Sequence, residues 1–546
     1  MNKLIFVLLL LFPTQTFSQT WQWAKQPIGT NINGDDHGYD IVTDVNGYSY
    51  ATGKFQYTMI FGSYILTSSY DSDVYLAKYD SHGNVIWARQ ARGSGDDESF
   101  GVSIDNTGNV YITGYLQGVV VFENDTIFTS ETSISAFIAK YDTSGSFKWV
   151  KYSSIYETNG SFGLGITNDR WGNVYTTGFY RDTIKFDSIS LIGRGIFIAK
   201  FDTAGNTLWL KKISENSTNP DTYCNKITVD NFGNLFATGS FSDSIFFTSD
   251  SLIAIGKGDA FIAKFDFNGN FQWAKKMGGP NNSYLDVGYD IVSDNLGNIY
   301  STGVFYESAI FDTINLFSYG FSDTYILKMN TSGSIIWAKH AGGTSDVCGY
   351  GLELNHDGEI LITGLFRDTA IFNSNILITP GIDLFIASYD NNGNPLGAIQ
   401  TYGSSSSAYC VGNSISIDTS NNAYITGIFQ NSSTFGNTTL TSTGGCDIFV
   451  AKLSRKENGL IDFHQLSSFN LFPNPFHDFC TLTFNNQKKS DNTLTLFDAQ
   501  GRLIRIIENI RTNQVKIERL NLKNGLYFFQ LISENRIIVS GKFVIE

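Results

Sequence analysis

Apolar and polar residues alternate along most of the chain in short runs bounded by turn residues, the period of half-buried β-strands. The run Tyr75-Leu76-Ala77-Lys78-Tyr79-Asp80 sets the pattern. It returns as Phe137 to Asp142, Phe197 to Asp202, Phe261 to Asp266, Tyr325 to Asn330, Phe385 to Asp390 and Phe449 to Ser454. Thr-Gly recurs in step with it, at Thr52, Thr113, Thr177, Thr238, Thr302, Thr363 and Thr426, spaced by 61, 64, 61, 64, 61 and 63 residues. Each Thr is followed nine residues later by a Phe, from Phe61 to Phe435, and preceded by eight residues by Asp or Asn. A tryptophan strand closes most units, at Trp87, Trp149, Trp209, Trp273 and Trp337, with Gly397 in its place in the sixth.

One unit predicts four strands, exemplified by Tyr39 to Thr43, Tyr48 to Phe55, Val74 to Tyr79 and Val85 to Gln90. Turns such as Asp44-Val45-Asn46-Gly47 are tight because Asp accepts bonds from the backbone ahead and Gly accepts positive φ. The Phe after each Thr-Gly, with Leu66, Leu191 or Leu440 soon after, predicts a small extra hairpin between the second and third strands. Four short strands cannot bury both faces alone, so the units must stack, and seven can close into a ring. The expected fold is therefore all-β, a seven-bladed β-propeller; a solenoid of strands is the alternative. Closure has its own signature: Trp21-Gln22-Trp23-Ala24-Lys25-Gln26 matches the fourth-strand segment Phe271 to Lys276, while the last unit stops after its third strand at Leu453. The N-terminal strand is expected to complete the seventh blade.

Thr-Gly-x-Phe, Phe-Ile-Ala-Lys-Tyr-Asp and Gly-Asn-x-x-Trp-Ala resemble the bacterial SBBP β-propeller repeat over about residues 30 to 454, a family without a uniform activity. Residues 1–18, with Lys3, an apolar core from Leu4 to Phe12 and small or polar residues at Thr16 and Ser18, read as a cleavable secretory signal. A propeller over 19–454 and a linker over 455–468 precede a segment over 469–546 whose strands alternate around Asp498-Ala499-Gln500-Gly501 and Lys523-Asn524-Gly525, a small Ig-like β-sandwich. Its motifs Leu471-Phe472-Pro473-Asn474-Pro475-Phe476, Leu496 to Gly501, Leu522 to Tyr527 and Gly541-Lys542-Phe543-Val544 resemble the C-terminal sorting domain of type IX secretion cargo. That resemblance implies Sec export, recognition by the type IX translocon and sorting machinery, and release or attachment at the outer cell surface of a Bacteroidota-type bacterium.

Charge narrows the partners. The net charge is −14, which opposes a nucleic-acid ligand. Residues 469–546 carry 10 Lys+Arg and 7 Asp+Glu, leaving 27 − 44 = −17 before them. No window after the leader has the run of about 18 apolar residues needed to span a bilayer. Five cysteines, an odd number, make no full disulfide framework; Cys348 and Cys410 precede neighbouring first strands, and Cys446 shares a face of the seventh unit with Cys410, which allows a bridge there but leaves the pairing unassigned.

The histidines, His37, His82, His340, His356, His464 and His477, form no metal-ligand spacing, and no nucleophile elbow, phosphate loop or dinucleotide fingerprint is present, so neither a metal site nor a cofactor is predicted. The loops between units vary while the turns within them are uniform, which puts function on the loop face. Candidate binding residues at that rim are Asp36, His37, Asp97, Glu98, Asp221, Tyr223, Tyr284, Asp286 and Asp346. Converging carboxylates there would suit Ca²⁺ or glycoside hydrolysis, and tyrosines would stack on sugars. The structural alternative is that the recurring acids cap turns. Asp80, Asp142, Asp202 and Asp266 resemble sialidase Asp-boxes with the wrong Asp-to-Gly spacing, and the Trp strands resemble tryptophan-docking motifs that lock blades together. The expected function is a non-enzymatic, exported module that binds a glycan or a protein; the alternative is an extracellular polysaccharide hydrolase or lyase using rim carboxylates.

Overall fold

The computed structural model describes residues 18–456 and 470–546, apart from 124, 154–159, 216–221, 374, 404, 485, 487–490, 499–502 and 534–535. The expected leader and linker lie almost wholly outside the described residues, as does Asp221. The described residues fall into two compact units, divided after Lys456, and their regular structure is all β.

In the first repeat His37–Thr43, Ser49–Phe61, Tyr64–Tyr79 and Val85–Gly93 form an antiparallel meander. The second repeats it with Glu98–Ile104, Val110–Leu116, Ser135–Tyr141 and Phe147–Tyr152. The turn residues act as the sequence requires: Asp44 Oδ1 accepts the N–H groups of Asn46 and Tyr48 at 2.9 and 3.0 Å, and Gly47 sits at φ 78°. The Thr-Gly motif is explained by two contacts. Thr52 Oγ1 donates to the Tyr75 carbonyl at 2.7 Å, a bond that all seven threonines make at 2.7 to 3.0 Å. A Cβ on Gly53 would stand 1.8 Å from the His37 carbonyl oxygen, so only glycine fits.

The extra hairpin takes two forms. In repeats one, five and six the second and third strands run on into it through a left-handed joint at Tyr57, Glu307 and Asp368. Elsewhere it is a separate strand pair, as in Val119–Phe122 with Asp125–Phe128. It reaches the fourth strand of the preceding repeat, pairing Ala91 with Phe122, Ser214 with Phe246 and Gly342 with Ile371, and in repeat seven it meets the short strand Tyr402–Gly403 that follows that fourth strand, pairing Gly403 with Ser433. The long repeat period thus provides a hydrogen-bonded tie between neighbours.

Ser18–Lys25 pairs antiparallel with Asp447–Lys456, with Trp21 opposite Leu453 and Ala24 opposite Ala451. The seventh repeat, Tyr409–Ile417, Ala423–Gln430 and Asp447–Lys456, therefore receives its fourth strand from the other end of the chain. Its first strand touches that of repeat one, where the Thr43 N–H donates to Ser416 Oγ at 3.0 Å. Edge pairings join repeats five to seven and Ser18–Lys25 into one twelve-stranded sheet, and no sheet closes on itself among the described residues. Apolar cores lie between neighbouring sheets: one joins Tyr50, Leu76 and Trp87 to Ile112 and Phe137, and another joins Tyr424, Ile448 and Val450 to Ile41, Ala51 and Tyr75. Each large side chain so buried contributes about 1.5 to 3 kcal/mol.

The C-terminal unit has a three-stranded sheet, Asn470–Phe472, Phe479–Thr483 and Gln514–Glu518, and a four-stranded sheet, Leu503–Ile510, Asn492–Phe497, Gly525–Ser533 and Arg536–Ile545. They share a core that includes Phe476, Leu482, Leu496, Ile517, Phe529 and Phe543. All five cysteines are free thiols. Cys410 and Cys446, which share the seventh repeat, make no bridge: Cys410 is sealed in the seventh-repeat core, and Cys446 sits beside Asp35.

Candidate functional site

Each first strand carries a β-bulge two residues before its pairing with the Thr of Thr-Gly is restored. The bulge sets one residue per strand out of the ladder: Tyr39, Phe100, Leu164, Asn225, Tyr289, Tyr350 and Asn413. Around these residues aromatic rings form two runs. The first passes His37, Tyr39, Phe100, Tyr115, Phe162, Phe179 and Tyr223, with successive centroids 4.5 to 5.9 Å apart. In the second, Tyr284 stacks on Tyr306 at 4.9 Å and both meet Phe321 edge-on, with Tyr289 and Tyr350 in contact at 4.8 Å. Tyr284 and Phe321 are 43 % and 47 % exposed. The sequence-predicted rim residues His37, Tyr223 and Tyr284 belong to these runs, and Glu98 anchors the first by accepting from the Tyr39 hydroxyl at 3.0 Å while pairing with Lys54 at 3.0 Å.

The rim acids behave otherwise. Asp36, Asp97 and Asp286 are buried, and each accepts a backbone N–H of the second strand, from Gln56 at 2.7 Å, Gln117 at 2.8 Å and Tyr306 at 2.9 Å. Burial pushes Asp36 up to about 7 and Asp286 up to about 8, aided by the neighbouring carboxylates Asp447 and Asp259 respectively; Asp97 is pushed well above the carboxylate range. Asp346 accepts from the Ser322 hydroxyl at 3.0 Å and lies 3.6 Å from Arg367. These acids hold strand ends together.

A second polar cluster escaped the sequence reading. The first strands line a cavity of about 210 Å³ in which Lys226 is the one basic residue among those described. Its Nζ lies 3.0 and 2.9 Å from the two carboxylate oxygens of Asp40. Burial works against the ammonium charge, but Asp40, Asp290 and Glu353 outweigh it and hold the amine above its ordinary range. Burial pushes Glu353 up to about 7. Asp40 and Asp290 also accept the N–H groups of Val102 and Leu352 at 2.9 and 2.8 Å, tying their strands to the next. Aligning the repeats on Thr-Gly would have exposed the signal: twelve residues before the Thr stand Asp40, Gly101, Gly165, Lys226, Asp290, Gly351 and Ser414, a column that mixes both charges with glycine.

Two family models match parts of the chain. Residues 470–546 match the model of the secretion system C-terminal sorting domain, and residues 209–244 match that of the SBBP β-propeller repeat. An uncharacterised WD repeat-containing protein of Acanthamoeba polyphaga mimivirus is 24 % identical over 400 residues, covering 58 % of this chain. The chain spans only 29 % of that relative's length. Among solved structures, a protein of unknown function from Bacteroides caccae overlaps 60 % of this chain and 89 % of its own at 11 % identity and a TM-score of 0.32. The apocarotenoid oxygenase of Synechocystis overlaps 81 % and 96 % at 8 % identity and a TM-score of 0.34. Sequence motifs, strand pairing and family matches together identify a chain that carries an SBBP β-propeller repeat and ends in a type IX sorting domain, the mark of proteins exported to the cell surface or the extracellular space.

Proposed function

We propose that residues 19–454 form a seven-bladed propeller closed by Ser18–Lys25 and that it acts as a non-enzymatic binding module. Residues 469–546, an Ig-like sandwich after the linker 455–468, are its address to the type IX machinery. The observation that carries the reading is the pair of aromatic runs, with Tyr284 and Phe321 exposed among them. Flat rings beside polar groups suit the apolar faces and hydroxyls of a neutral glycan, and binding of this kind calls on no cofactor. Hydrolysis would instead need two available carboxylates roughly 5 to 10 Å apart. The rim acids Asp36, Asp97 and Asp286 are engaged by backbone N–H groups, which favours binding over turnover.

The test is a neutral-glycan array probed with the secreted protein, followed by calorimetry on hits and a depolymerisation assay on the same glycans. Binding that falls at least tenfold in Tyr284→Ala and Phe321→Ala, without chain cleavage, supports the reading. Binding indifferent to both substitutions, or cleavage of the glycan, overturns it.

A further inference from the structure

Where the first and seventh repeats meet, three different ligand types converge. Asp35 and His37 stand at the entrance to the first strand of repeat one, and Cys446 immediately precedes the third strand of repeat seven. One donor atom from each, a carboxylate oxygen, an imidazole nitrogen and the thiol sulfur, lie within 4.8 Å of one another. Within the trio His37 Nε2 is 3.2 Å from Asp35 Oδ2. Asp35 and Cys446 are 411 positions apart, so no spacing motif could announce them.

The two loops are locked together by backbone bonds. The Asp36 N–H donates to the Cys446 carbonyl at 2.8 Å, the Gly445 N–H to the Gly34 carbonyl at 3.0 Å, and the Cys446 N–H to Asp35 Oδ1 at 3.4 Å. The Asp35 N–H donates to Gln56 Oε1 at 3.1 Å. Donors held this way are preorganised, as ligand sets with outer-shell support are.

The surroundings are anionic. Asp36 and Asp447 act on the Cys446 thiol in addition to Asp35, and the nearby Lys54 is paired with Glu98. A bound cation removes the thiol proton and relieves the excess of carboxylates. Sulfur and imidazole donors disfavour Ca²⁺ and Mg²⁺, whereas Zn²⁺ takes S, N and O ligands tetrahedrally at about 2.0 to 2.3 Å and accepts three protein ligands plus water.

We propose that Asp35, His37 and Cys446 form a Zn²⁺ site that clips repeat seven to repeat one. The test uses the whole secreted protein, freed of metal by chelation, reduced, and titrated with Co²⁺ and then Zn²⁺. One equivalent of Co²⁺ is expected to produce a thiolate-to-cobalt charge-transfer band with intense tetrahedral ligand-field bands, both displaced by Zn²⁺. Cys446→Ser loses the charge-transfer band, and His37→Ala and Asp35→Ala each weaken Zn²⁺ binding at least tenfold. Zn²⁺ raises the thermal midpoint of the unaltered protein and not of Cys446→Ser. Absence of the thiolate band in the unaltered protein overturns the proposal, as does its survival in Cys446→Ser. Should Cys446→Ser fail to fold, the spectrum of the unaltered protein and the Asp35→Ala titration still decide it.

Discussion

Trp23 Nε1 donates to the carbonyl of Ser81 at 3.1 Å, across the junction between the last repeat and the first. The same bond joins Trp87 to Thr143 at 3.2 Å, Trp149 to Thr203 at 3.3 Å, Trp273 to Thr331 at 3.3 Å and Trp337 to Asn391 at 3.2 Å. In each case the tryptophan of one repeat docks on the turn between the third and fourth strands of the next, where a glycine such as Gly83 or Gly145 lies against the ring. A lysine of the third strand reinforces it: Lys452 reaches the Ser81 carbonyl at 3.3 Å, as Lys140 reaches that of Thr203 at 3.0 Å. Trp23 occupies the place of an internal tryptophan although it comes from the chain's other end.

Removing the Trp23 ring takes away both the hydrogen bond and the packing on Gly83 and Tyr424. Trp23→Ala is expected to destabilise the N-terminal unit by about 2 to 4 kcal/mol, somewhat less than a fully buried tryptophan because the ring is half-buried. Urea unfolding followed by tryptophan fluorescence measures it; a change below about 0.5 kcal/mol, the range of surface substitutions, contradicts the docking.

The sixth repeat has Gly397 where the tryptophan belongs and Ser388 where the lysine belongs. The reason lies in repeat seven, whose third and fourth strands are not joined by a turn, since the fourth is Ser18–Lys25. A tryptophan at 397 would have no turn carbonyl to dock on. Nothing lies within 4 Å of a Cβ built there. Gly397→Trp is therefore expected to leave stability within about 0.5 kcal/mol in the same unfolding assay; a gain of the size that Trp23→Ala loses would contradict this explanation.

Asp286 is raised in the folded state from 3.8 to about 8. The folded chain then binds more protons than the unfolded one between those values, so this group's stabilisation is complete below about pH 4 and is lost as pH rises through about 8. Asp286→Asn keeps an oxygen for the Tyr306 N–H and removes the titration. The unfolding free energy of the variant is expected to fall less steeply than that of the unaltered protein between pH 5 and pH 8, where the raised group titrates. Identical slopes would contradict the assignment.

Lys226, half-buried, pairs with the buried Asp40, 186 positions away in sequence. Lys226→Ala strands Asp40 beside Asp290 and Glu353 and is expected to destabilise by about 3 to 5 kcal/mol, whereas Lys226→Met combined with Asp40→Asn is expected to lose much less. A double-mutant cycle read by urea unfolding separates the two, and additive effects would contradict direct pairing.

Much of this was legible in the sequence, and the limits follow from physics. Thr-Gly and the Trp strand recur because each meets the same local geometry in every repeat, so repetition exposed them. The Asp in each first turn could be read from Asp44 and Gly47 alone, since its partners are two and four residues away. Asp36 and Asp286 looked like rim acids because sequence does not show which way a loop carboxylate turns; both turn onto backbone N–H groups. The partners of Lys226 and Cys446 are not legible in the sequence because they are distant along the chain and occur once, so neither periodicity nor spacing records them. The empty tryptophan position at 397 was visible, but its cause requires knowing where the final strand comes from.

The seam between the last repeat and the first depends on Ser18–Lys25 completing the last repeat, and native-state hydrogen exchange of the amides in residues 19–25 measures that directly. The account predicts protection matching that of Val85–Gly93, the equivalent strand of repeat one. Exchange at the rate of a free terminus, with Val85–Gly93 still protected, would contradict it.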